Sequence, residues 1–145
     1  MKPYAHILVP LDLGDQSARI LEHAKLIADR CASAIELLYC FPNPTFPDAT
    51  GLMVPFAPDV IEQARADAER QLRGMLTAKE QKHYRSKALA IVGDPLDGIV
   101  DYATREGVDL IVMGTHGRKG LAHMFLGSVA ERVVRTAPCP VLTVR

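Results

Sequence analysis

Short apolar runs rich in branched residues recur along this chain with helix-period segments between them, an alternation that constrains the fold more tightly than any other feature. Strands joined through crossover helices make a parallel sheet buried on both faces, so each strand reads as a nearly continuous apolar run. Five such runs stand at residues 7–9, closed by Pro10; 35–40; 88–92; 109–113, closed by Gly114; and 141–144, after the breakers Pro138 and Pro140. The expected fold is α/β, a doubly wound five-stranded parallel sheet with helices on both faces, in one domain over residues 1–145.

Four helices are expected between these strands. Ala18, Leu21, Ala24, Ile27, Ala28 and Cys31 fall on one helical face. A second helix is expected from Asp59, where Asp59 and Glu62 have capping-box spacing and Ile61, Ala64, Ala68, Leu72 and Met75 keep the period. Asp94-Pro95 is a helix start: the aspartate caps free amides and proline at the first helical position forfeits no hydrogen bond. Leu96, Ile99, Val100 and Ala103 carry that helix to Gly107. The last is expected to begin at Ser128, with Glu131 completing a second capping box, and to end before Pro138. Residues 41–58 hold Pro42, Pro44, Pro47, Pro55, Pro58 and Gly51, and are expected to form a long proline-rich loop without regular structure.

Several function classes are disfavoured early. Seventeen basic and seventeen acidic residues cancel, so no bulk positive field draws the chain to nucleic acid or anionic membrane. Cys31, Cys40 and Cys139 lack metal-ligand spacing and form no disulfide pattern, which fits buried thiols in a reducing, cytoplasmic setting. The start of the sequence lacks the long apolar core of a secretory signal, and no run approaches the ~20 apolar residues of a membrane helix.

Ligands of doubly wound sheets bind beyond the carboxyl ends of the strands. Three segments would meet there: Pro10-Leu11-Asp12-Leu13-Gly14, the region of Cys40, and the stretch from Gly114 to Ser128. The third carries four glycines, and glycine lets backbone amides approach a polyphosphate closely, while a helix starting at Ser128 adds free amides and a favourable dipole. The same letters also suit a connecting loop in which Ser128 merely caps its own helix, and Asp12 equally suits an Asx turn.

On these residues the sequence resembles the universal stress protein family. The resemblance rests on Gly114-x2-Gly117-x9-Gly127-Ser128, on Pro10-x-Asp12, and on the ending Ala137-Pro138-Cys139-Pro140-Val141-Leu142, and it spans nearly the whole chain. It implies an adenine nucleotide alpha hydrolase-like fold, ATP binding with Mg2+, a regulatory stress-response role and a homodimer formed through the strand at 141–144. It further implies phosphate contacts from Gly117, Gly127, Ser128 and the amide of Val129, and ribose contacts from Asp12. Pro10, Leu11 and Cys40 would line the adenine site, with Met113 and Gly114 on its other side. Arg118 and Lys119 are candidates to neutralise phosphate charge. Two departures bear on the base site: Leu13-Gly14-Asp15 stands where the family has Gly-Ser after its aspartate, and Cys40 replaces a usual aliphatic residue.

Dedicated catalysis is not expected beyond slow ATP hydrolysis. There is no GxxxxGK[ST], no GxGxxG opening an early helix and no Gly-x-Ser-x-Gly elbow. His116 and His123 have no carboxylate or cysteine at ligand spacing and are read as structural or solvent-facing. A ligand-free dimeric scaffold of the same fold is the alternative, and a small-molecule enzyme using Arg118, Lys119, His116 or His123 is a more distant one. The protein partner and the inducing stress cannot be read from these residues.

Overall fold

The computed structural model describes residues 4–116 and 127–145. The strands of the main sheet are β1 (His6–Pro10), β2 (Ala34–Phe41), β5 (Lys87–Val92), β6 (Leu110–Gly114) and β7 (Val141–Val144), ordered β5-β2-β1-β6-β7 and all parallel. The expected doubly wound sheet is therefore present, with β7 on an edge.

Successive strand side chains point to opposite faces, and the core divides accordingly. Ile7, Val9, Ile35 and Leu37 pack with Ile20, Leu21, Ala24 and Ala28 of α1 (Ser17–Cys31) and Leu72 of α2 (Pro58–Gly74). Leu8, Leu38 and Ile111 face the other way, toward Leu96, Ile99 and Ala103 of α4 (Pro95–Arg105) and Ala130 and Val133 of α5 (Ser128–Thr136). Ala18 is exposed, so the buried stripe of α1 runs through Ile20 instead.

α4 starts as expected: the Asp94 side chain accepts from the amides of Leu96 and Asp97, and Pro95 fills the first position. Three expectations need correction. Residues 41–58 are not without regular structure, because Thr45–Pro47 (β3) and Met53–Pro55 (β4) form an antiparallel hairpin. Its turn is closed by Asp48, whose carboxylate accepts from the Thr50 amide and hydroxyl and from the Leu52 amide. Proline is tolerated because both strands of a two-stranded sheet are edges and owe no donor to an outer neighbour. Second, α2 begins at Pro58 with Ala57 at the cap, so Asp59 and Glu62 form no capping box. Third, Ser128 is the first residue of α5 and not its cap; Gly127 holds that position, and among the described residues no side chain caps the helix.

The described residues also include a helix that was not anticipated, α3 (Ala78–His83), which does carry a full capping box between Thr77 and Glu80. Lys25 of α1 reaches Glu80 at 2.7 Å, tying α3 to the main body. No described helix is long and apolar enough to cross a membrane.

Candidate functional site

β1 lies between β2 and β6, so the crossovers leave it in both directions and a crevice opens at its carboxyl end. The β1–β2 ladder continues to Pro10↔Leu38, whereas the β1–β6 ladder records only Ile7↔Leu110 and Leu8↔Ile111. Beyond that point a cavity of about 500 Å³ separates the segments that leave the two strands.

Most of the residues expected at the site meet there. Pro10, Leu11 and Asp12 come from the end of β1, Cys40 from β2, Met113 and Gly114 from β6, and Gly127, Ser128 and Val129 from the start of α5. Gly117 and Arg118 lie outside the described residues, as do Lys119 and His123. The wall also includes residues the sequence reading did not select, among them Ile20, Leu38, Pro95, Ile99 and Ala130. Pro95 had a usable signal, since a helix start directly after a parallel strand sits at the carboxyl edge of the sheet. His116 lines the cavity as well, its Nδ1 2.8 Å from the Thr115 hydroxyl.

Asp12 does two things at once. Its Oδ1 accepts from the Gly14 amide at 2.8 Å and from the Ser17 hydroxyl at 3.4 Å, which closes an Asx turn and carries the chain into α1. Asp12 also borders the cavity. Leu13, inside this turn, has φ of 59°, so the Leu13-Gly14-Asp15 departure is accommodated by a left-handed residue.

The α5 side of the cavity is set by backbone hydrogen bonds. Thr115, itself buried, donates its amide to the Val144 carbonyl and accepts from the Gly127 amide. The first bond ties the end of β6 to β7, and the second pins the start of α5 to the end of β6. Among the described residues no side chain caps α5, and Gly127, Ser128, Val129 and Ala130 at its start line the cavity, where an anion would meet first-turn amides and a positive dipole end.

Close packing fixes the remaining walls. A β-carbon on Gly114 would stand 2.9 Å from Ile20 Cδ1, so glycine there allows α1 to close against β6. The Cys40 thiol is pushed up to about 12 by burial and, to a lesser degree, by the charge of Asp94. It is therefore a neutral, weakly polar wall at physiological pH and a slow nucleophile.

Comparison with known proteins gives the family and the shared fold. The family model described as "Universal stress protein family" matches residues 3–145. The chain belongs to the universal stress protein family. A universal stress protein of Methanocaldococcus jannaschii is 33% identical over 143 residues, covering 98% of this chain and 82% of the relative. One from Thermus aquaticus is 36% identical over 141 residues, covering 96% and 97%. Among solved structures, the universal stress protein UspA from Lactobacillus plantarum superposes with a TM-score of 0.74 at 27% identity, covering 98% of both chains. The fold is also shared with a universal stress protein solved in complex with cAMP, at a TM-score of 0.62, 23% identity and coverage of 99% and 98%. In this member of the family a crevice is bordered by Asp12, Gly114 and the start of α5.

Proposed function

We propose that this universal stress protein binds an adenine nucleotide, ATP with Mg2+, in the cavity at the carboxyl end of β1 and β6, and acts as a cytoplasmic nucleotide-dependent regulator over its whole length, residues 1–145. The observation that carries the reading is the start of α5, with no side-chain cap among the described residues, lining a largely apolar cavity that Asp12 also borders. A base and a polyphosphate need that combination: apolar walls at one end and free amides at the other.

In this reading Gly127, Ser128 and Val129 supply amides to phosphate oxygens, with Gly117 and Arg118 as further phosphate contacts. Asp12 accepts from ribose hydroxyls through the oxygen not engaged in the turn. Pro10, Leu11, Cys40, Met113 and Gly114 enclose the base. Among the described residues no group of three His, Cys, Asp or Glu side chains is placed to hold a metal, so Mg2+ would ride mainly on phosphate oxygens and water. The cAMP complex named above, and a dAMP complex of an Archaeoglobus fulgidus universal stress protein, lend support by ligand class. Slow hydrolysis is the most the site is expected to do.

Identification of the small molecule released on denaturing protein purified without added nucleotide tests the reading, with Gly127→Val as control. Adenine nucleotide near one per chain in the wild type, lost in the variant, is expected. An empty wild type that also shows no thermal shift with ATP and Mg2+ sinks it and leaves a ligand-free dimeric scaffold in its place.

A further inference from the structure

Gly98 lies one turn into α4 and is not itself part of the cavity wall. A glycine inside a helix weakens it relative to alanine, so its presence calls for a packing reason. Here the reason is a single neighbour. A β-carbon built at position 98 would stand 2.8 Å from Cys40 Sγ, while Cys40 Cβ at 3.7 Å and Ile91 Cγ2 at 3.9 Å are ordinary contacts. The sulfur occupies the volume that a side chain at 98 would need, and Cys40 in turn forms part of the cavity wall.

We propose that Gly98 is a specificity-determining residue of the pocket: by lacking a β-carbon it lets the Cys40 thiol sit back in the α4–β2 crevice and keeps open the wall that faces the base. The proposal rests on the adenine-nucleotide reading above. Cys40 has one side-chain torsion, so a methyl group at 98 is relieved by rotating the thiol away from α4. The space open to it is the cavity, and a base stacked against that wall loses room. The identity of residue 98 thereby sets the width of the site from behind, through a residue that does not touch the ligand.

Gly98→Ala, Cys40→Ala and the double variant test this. ATP titration by calorimetry gives binding, and iodoacetamide labelling of Cys40, resolved by peptide mass spectrometry on nucleotide-free protein, gives the thiol's position independently. Alanine favours the helix and the clash involves only the tip of a small side chain, so the variants retain the fold. Gly98→Ala is expected to weaken ATP binding roughly tenfold or more, as overpacking a fitted wall does. Its Cys40 should label several times faster, and the double variant should bind ATP as Cys40→Ala does. A Gly98→Ala protein that binds like wild type, or a double variant no better than Gly98→Ala, overturns the proposal and leaves the nucleotide reading standing. Wild type that fails to bind ATP defeats the nucleotide reading instead. In that case faster Cys40 labelling in Gly98→Ala still supports control of the wall by residue 98, and unchanged labelling overturns it.

Discussion

Ala32 ends α1 in the left-handed region, with φ of 55° and ψ of 41°, and its amide donates back to the Ala28 carbonyl. That conformation crowds a β-carbon against the backbone, which glycine avoids. The side chain is exposed, so no packing is lost by removing it. Ala32→Gly should stabilise the fold by about 1 kcal/mol, read as a higher urea midpoint with unchanged slope. Glu36 is a residue-scale feature of the opposite kind, a buried carboxylate at the amino end of β2. Tyr102 donates to it at 2.6 Å, Lys87 Nζ lies at 3.0 Å and His6 Nε2 at 3.1 Å. Burial raises its pKa, but the hydrogen bonds from Tyr102 and Lys87 and the nearby His6 outweigh burial, and the net shift is downward. A carboxyl group held below its unfolded value contributes stability above that value and loses it as pH falls through the folded one. Glu36→Gln should therefore cost ~1–3 kcal/mol at pH 7 through the lost charge-assisted bonds. The gap to wild type should narrow below about pH 4.3, the ordinary glutamate range, in urea melts across pH.

At the scale of elements, the β3–β4 hairpin stands apart from the rest. Its strands pair only with each other, and its apolar side chains Phe46, Leu52 and Met53 are exposed instead of joining either core cluster. Replacing residues 44–56 with a short Gly/Ser linker should leave global stability within about 1 kcal/mol, since what is removed opens locally rather than with the core. A large drop in urea midpoint would show that the hairpin is coupled to the sheet. The same elements show which parts of the fold can be read from sequence. Strands β1, β2, β5, β6 and β7 were readable because each centres on a short, mostly apolar run of strand-forming residues, and Asp94-Pro95 because its cap acts locally. The caps of α2 and α5 were not: α5 starts at Ser128 as expected but with Gly127 as its cap, and α2 starts at Pro58 with Ala57 as its cap, so the letters at Asp59 and Ser128 form no capping box. The true box at Thr77 and Glu80 was present in the letters but sat where the period of α2 runs on through Met75. The site followed the strands. Residues expected at strand ends met in the cavity, whereas Ile20 and Ile99 belong to helical faces, and only three-dimensional packing turns those faces toward the opening.

At the scale of the whole molecule, the main sheet has two edges, β5 and β7, and they are treated differently. On β5 the Ala90 amide is satisfied by Glu69 of α2, itself held by Arg65, so that edge is covered. On β7 no comparable partner is recorded among the described residues, and Leu142 is 37% exposed. An edge strand can pair with a second copy about a two-fold axis, so the expected outcome in solution is a homodimer through Val141–Val144. Hydrogen-bond direction identifies the residue that tests it. The Pro140 and Val144 carbonyls both accept from the β6 side, from the amides of Ile111 and Thr115. By the two-residue repeat of a strand, Leu142 also faces β6, while Val141 and Thr143 direct their amides outward. Proline at 142 would damage the sheet itself, whereas Thr143→Pro removes only an outward donor. Thr143→Pro should therefore keep the wild-type circular dichroism and nucleotide content while lowering the mass in equilibrium sedimentation from dimer to monomer. A wild type that sediments as a monomer at micromolar concentration, or a variant that still dimerises, would place any assembly on another surface.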